Sequence, residues 1–223
     1  HNMTNVISKL LIGSAALLAS VFILSQGALA DEIKVSHDLE GFDQIRIDNI
    51  GIELDVSVGD DFQIEVEGEE ELVNSLLLKV RGDKLVLYRD DDKNIWDKGG
   101  NDSPKVIISM PTFTGFDLRG AVDAHIEGID SDEVEFDLKG AGNIELEGRC
   151  KWLIIDLKGA GNVEASDLKC EEVDVDLKGA GNIEVYASEK INAEINGMGN
   201  IDVYGNPKDV TKSDGWFSNI SIH

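Results

Sequence analysis

The chain has 223 residues, with 44 acidic against 20 basic side chains and a formal charge of −24 at neutral pH. A surface this acidic repels nucleic acid and anionic lipid and excludes functions that depend on binding them. With 23 glycines, only 3 prolines, and apolar residues alternating with charged ones over long stretches, the composition is that of a turn-rich β protein and not of a disordered chain.

In chain order, His1-Asn2 precede Met3, so residues 1–30 read as a tag remnant followed by a signal peptide. Lys9 supplies the positive start. Leu10 to Leu24 form an apolar run that is short and rich in small residues for a membrane span, and Gly27-Ala28-Leu29-Ala30 ends in the small-x-small pattern that signal peptidase accepts. Cleavage is expected after Ala30, with no membrane insertion afterwards; an uncleaved anchor is the alternative. No cysteine follows the cut, which argues against a lipoprotein. The expected location is outside the cytoplasm: periplasm, cell surface or extracellular space.

Residues 31–116 read as an irregular β-helical part. Period-2 alternation runs through "IRIDNIGIELDVSVGDD", "FQIEVEGEE", "KLVLYRD" and "KVIISMP", each a strand. "EEELVNSLLL", Glu69 to Leu78, predicts one short helical turn against that sheet. A polar insertion spans 89–104. Its Asp90-x-Asp92-x-Asn94 spacing has the look of a calcium loop, but Ile95 stands where the sharp turn needs glycine and Asn101 where a bidentate glutamate is wanted. Trp96, alone among those charges, is a candidate partner contact.

From Asp117 to the end, residues 117–223, the chain repeats itself. Asp117, Asp137, Asp156, Asp176 and Glu194 align at spacings of 20, 19, 20 and 18, the period of a solenoid of about 18–20 residues per coil. Each unit alternates apolar and charged residues, breaks at Gly-Ala-Gly-Asn, then alternates again, predicting two half-strands joined at a corner. Val134, Leu153, Val173 and Ile191 form one inward column; Ile144, Val163, Ile183 and Ile201 form another beyond the corner. The turn glycines are Gly140, Gly142, Gly159, Gly161, Gly179, Gly181, Gly197 and Gly199, assigned to the φ > 0 bend. Ala141, Ala160, Ala180 and Met198 lie between them, where the corner is expected to leave little room. Asn143, Asn162, Asn182 and Asn200 predict a structural ladder of amides bonded from coil to coil. Asp137, Asp156 and Asp176 face Lys139, Lys158 and Lys178 two residues on, an outer lattice of opposite charges.

Cys150 and Cys170 each lie six residues before the aligned aspartate, in one column with Ser131 and Ser188 in the flanking coils. Adjacent coils place such a pair within bonding distance, and a Cys150–Cys170 disulfide is predicted in an exported protein. At the end, "DGWFSNISIH" is a last unit in which Trp216 and Phe217 replace small residues; bulky aromatics there are expected to cap the open core and block end-to-end stacking.

No catalytic residues, cofactor site or metal site emerges. The histidines are scattered, no Gly-x-Ser-x-Gly elbow or phosphate-cradling loop is present, and the Gly-Gly-x-Gly-x-Asp pattern of calcium-binding repeats is not met, since the turn holds asparagine.

The "GAGNIE" units, the "GMGNIDVYG" close and the upstream "FDQIRIDNIGIELDVSVGDDFQIEVEGEEELVNSLLLKVRGDKLVLY" resemble the bacterial family described as "putative auto-transporter adhesin, head GIN domain", over roughly Asp38 to Ile222. The resemblance implies an exported, right-handed, pectin-lyase-like, single-stranded parallel β-helix without catalytic residues, and an adhesive role. The sequence departs from the resemblance in having no translocating barrel after the repeats, so self-transport is not among the expectations. The expected function is that of a non-enzymatic all-β binding scaffold at the envelope or surface, with a cell-surface, glycan or envelope partner and homo-oligomerisation left open. Two alternatives stand beside it, a periplasmic scaffolding or stress component and a polysaccharide-binding or polysaccharide-cleaving enzyme.

Overall fold

The computed structural model describes residues 21–22, 32–89 and 103–223. Trp96 and nearly all of the 89–104 insertion lie outside the described residues, as does the expected leader apart from the two-residue strand β1 (Val21–Phe22). The chain continues through β2 (Glu32–His37), β3 (Gln44–Val58), β4 (Gln63–Glu69), a single helical turn α1 (Glu70–Val73), β5 (Leu76–Arg81), β6 (Lys84–Arg89) and β7 (Lys105–Met110). Four long strands follow, β8 (Gly115–Leu138), β9 (Ala141–Leu157), β10 (Ala160–Leu177) and β11 (Ala180–Ile195), then the shorter β12 (Met198–Tyr204), β13 (Asp209–Ser213) and β14 (Ser218–Ile222).

The architecture is a parallel β-solenoid of about five turns. β8 stacks in parallel on β3, β9 on β8, β10 on β9 and β11 on β10; β11 then pairs with β12 along one half and β13 along the other, and β14 lies on β12. The register is the one the repeat demands. Val134, Leu153, Val173 and Ile191 stand directly above one another, as do Ile144, Val163, Ile183 and Ile201, and all eight are at most 2% exposed. Each buried Val, Leu or Ile contributes roughly 1.5–3 kcal/mol, so the stack of like residues is the main source of stability. A one-residue slip would turn every column outward.

Each coil bends more often than the two half-strands expected. In β10 the buried side chains run Val163, Ala165, Leu168, Cys170, Val173, Val175, Leu177; two steps of three residues interrupt the steps of two. The ladder is irregular at the same places, between Ala165 and Lys169 and between Cys170 and Glu172. These two bends and the Gly-Ala-Gly-Asn corner fold the coil into three straight segments around one core.

The N-terminal end departs from the parallel rule. β7 lies parallel to β3, but β4 is antiparallel to β7, β2 to β4, and β5 to β6. Only β5 and β6 are joined by a tight turn, at Gly82-Asp83, which reverses the chain directly; β2, β4 and β7 reach one another across intervening elements. Leu76 already belongs to β5, so the helical turn ends earlier than the Glu69–Leu78 segment in which it was expected.

Three sequence expectations are corrected by the packing. The first glycine of each corner, and Gly181 among the second ones, is required by close approach and not by a positive φ. A Cβ on Gly159 would sit 1.8 Å from the Gly140 carbonyl oxygen, whereas Gly161 combines the same clash against Gly142 with φ +150°. The alanine column is not confined: Ala141 and Ala160 are exposed, and Met198 in that column is 60% exposed. Trp216 and Phe217 do not cap the core, being 99% and 83% exposed. The register explains this. Ser218 lies beside Gly199, so Phe217 continues the outward Ala–Met column, and the Ser218 hydroxyl closes a turn on the Gly215 N–H at 2.7 Å that holds the aromatic pair at its tip. Ile220, 3% exposed over Ile201, covers the core instead.

Candidate functional site

Outward side chains from the stretch that includes the cysteine column stack from coil to coil and line a groove along the side of the solenoid. Its volume is about 1230 Å³. The Cys150–Cys170 disulfide lies at its base, with Cα atoms 4.5 Å apart and both residues directly paired between β9 and β10. The predicted bond is present. Its column runs from Ser131, whose hydroxyl donates to the Phe113 carbonyl at 2.7 Å, and ends at Ala187; Ser188 is displaced by one residue, because β11 takes its bend a residue later than the aligned aspartate implies.

One position before each cysteine, a column of polar side chains forms the groove wall: Asp130, Arg149, Lys169 and Tyr186, paired in register from coil to coil. Arg149 makes a two-pronged contact with Asp130, Nε to Oδ1 at 2.9 Å and Nη2 to Oδ2 at 2.6 Å. That hydrogen-bonded guanidinium holds the Asp130 carboxyl below its ordinary range. The Lys169 ammonium lies 4.5 Å from the centre of the Tyr186 ring, a cation–π contact. Behind the cysteines, Lys151 pairs with Asp132 at 2.7 Å, which raises the lysine above its usual value. Glu133, Glu135 and Glu171 bring further carboxylates to the lining. Trp152 stands just outside, 44% exposed, between Glu133 and Glu172 in its column.

Sequence reasoning missed this wall although its signal was available. The alignment that paired Cys150 with Cys170 also pairs Arg149 with Lys169 and places Asp130 below them. The other columns carry less chemistry. Asn162 donates to Asn143 at 3.1 Å, Asn182 to Asn162 at 3.1 Å and Asn200 to Asn182 at 2.9 Å, each through Nδ2 to Oδ1, a continuous amide ladder on the outer face. Lys139, Lys158 and Lys178 are ion-paired with Asp137, Asp156 and Asp176, and Arg119 with Asp117 extends the lattice at 3.4 Å. The amides of the ladder bond one another, and each lysine takes one carboxylate oxygen of its aspartate, while the other oxygen, Oδ1 of Asp137, Asp156 and Asp176, is buried without a hydrogen-bond partner. Among the described residues no group of three or more His, Cys, Asp or Glu is arranged to hold a metal ion, and no helix is long and apolar enough to cross a membrane.

A disulfide-stapled parallel β-solenoid with a charged lateral groove is the class of protein these features define. The family model described as "putative auto-transporter adhesin, head GIN domain" matches residues 41–207, and the chain belongs to that family. The crystal structure of a putative adhesin from Bacteroides fragilis superimposes with a TM-score of 0.69 at 24% identity, covering 86% of this chain and 97% of that one, which shows the shared fold. A putative adhesin from Parabacteroides merdae aligns over 86% of this chain and 96% of its own at 15% identity, with a TM-score of 0.48. Among curated proteins none matches.

Proposed function

We propose that this protein is an exported, non-enzymatic adhesin-type scaffold that binds a glycan of the cell surface or surrounding matrix in the lateral groove. The observation that carries the reading is the groove wall itself: ionised carboxylates, a guanidinium, an ammonium and a phenol presented on a rigid stack at the interstrand spacing of about 4.8 Å. Outward carboxylates accept hydrogen bonds from sugar hydroxyls, and Arg149 and Lys169 donate to ring and carbonyl oxygens. A glycosidase would need one carboxyl kept protonated as a general acid beside a second that stays ionised. Asp130 runs the other way, ion-paired with Arg149 and pushed toward the charged form. The family's adhesive description and the disulfide accord with a role outside the cytoplasm.

The test is an array of neutral, amino and acidic oligosaccharides probed with the chain and with a variant carrying Arg149→Glu, Lys169→Glu and Glu135→Lys. Binding to a subset of glycans that falls at least tenfold in the variant is expected. Equal binding by both proteins, or silence across the array together with capture of a periplasmic protein, would favour an envelope scaffold instead.

A further inference from the structure

The C-terminal end of the solenoid is unlike the rest of the surface in three independent ways. It is neutral: residues 205–223 hold two lysines and two aspartates, so the whole −24 resides in residues 1–204. It is open. Among the described residues β13 pairs only with β11 and β14 only with β12, and β14, Ser-Asn-Ile-Ser-Ile, carries no charge and no proline of the kind that protects edge strands elsewhere. And it is apolar, with Val210 41%, Trp216 99% and Phe217 83% exposed and Met198 in the coil beneath at 60%. Lys212 donates to the Ile220 carbonyl at 3.0 Å, which closes one position of the edge and leaves the aromatic tip as the leading contact.

From these features we infer that the end face docks a second copy of this chain, tail to tail about a two-fold axis, with Trp216 and Phe217 of each copy packed over the Val210 end of the other. Charge selects the occupant. Two chains of −24 repel each other along their sides, and the neutral ends are where they approach at least cost, whereas a basic partner would be drawn to the acidic flanks. A two-fold contact is closed, so it stops at a dimer. Four aromatic rings at roughly 150–250 Å² each bury on the order of 600–1,000 Å², below the ~1,200 Å² of a stable complex, so the dimer is a weak, concentration-dependent one. This inference does not rest on the groove or its ligand.

Sedimentation equilibrium of the purified chain between about 1 and 200 µM, at roughly 0.05 and 0.5 M salt, tests it, since screening shortens the Debye length from over 10 Å toward about 4 Å. A monomer–dimer equilibrium is expected, tightening with salt and weakened at least tenfold by Trp216→Ser with Phe217→Ser. Both side chains are exposed, so circular dichroism and Tm should be unchanged; Thr211→Glu, which adds an acid to the neutral end, should weaken the dimer without touching the aromatics. A monomer at every concentration, a dimer indifferent to these substitutions, or growth into open-ended oligomers would each overturn the proposal.

Discussion

At Gly159 and Gly161 the repeat's most visible letters meet their physical cause. Carbonyl oxygens of the coil beneath lie 1.8 Å from where a Cβ would be built at either position, so the backbones are stacked as closely as glycine permits. Gly161→Ala should therefore cost about 3 kcal/mol, read as a lower denaturant midpoint, since neither backbone can move without its neighbours. That glycine is needed was legible in the sequence; why was not, because the clash involves a residue nineteen or twenty positions away. The same distance hid the direction of the alanine column, and with it the exposure of Trp216 and Phe217. A second residue-scale prediction concerns His37, whose imidazole is held below its ordinary pKa by burial on β2. The unfolded chain then binds a proton more readily than the folded one, so His37 adds stability above about pH 6.5 that is lost as pH falls through the folded pKa. The Tm should drop between about pH 7.5 and 5.5 with a slope that His37→Gln reduces; an unchanged slope would assign the acid sensitivity to other groups.

For single coils, the decisive element is the pair β9–β10 joined by Cys150–Cys170, which closes a loop of 20 residues. Constraining a loop of that length stabilises by about 3 kcal/mol in the chain-entropy view, so the double variant Cys150→Ser, Cys170→Ser should lose about that much and bring the chain near the Tm of its reduced form. The register of these coils was readable from Val134, Leu153, Val173 and Ile191 because period-2 alternation fixes which face is buried. The two extra bends were not, because a step of three buried positions among steps of two leaves only a faint mark in one coil and shifts by a residue in the next, which is how Ser188 was misaligned with Ala187. The antiparallel N-terminal strands were likewise hidden. Alternation in "FQIEVEGEE" reports a half-buried strand but is silent on the direction of its neighbour.

Seen as a whole, the molecule is a stacked solenoid with an amide ladder and an aspartate–lysine lattice along its outer faces, a charged groove on one side and a neutral, apolar end. The candidate site escaped the sequence reading because Asp130, Arg149, Lys169 and Tyr186 form a functional set only when four successive coils are superimposed. None of the four belongs to a local motif. The account stands on the groove binding its ligand without turning it over. Isothermal titration of the strongest array glycan into the chain, followed by mass spectrometry of the recovered ligand, measures both at once. The account predicts saturable binding near one ligand per chain, lost in the Arg149→Glu, Lys169→Glu, Glu135→Lys variant, with the glycan recovered intact; shortened fragments, or a titration that the variant leaves unchanged, would contradict it.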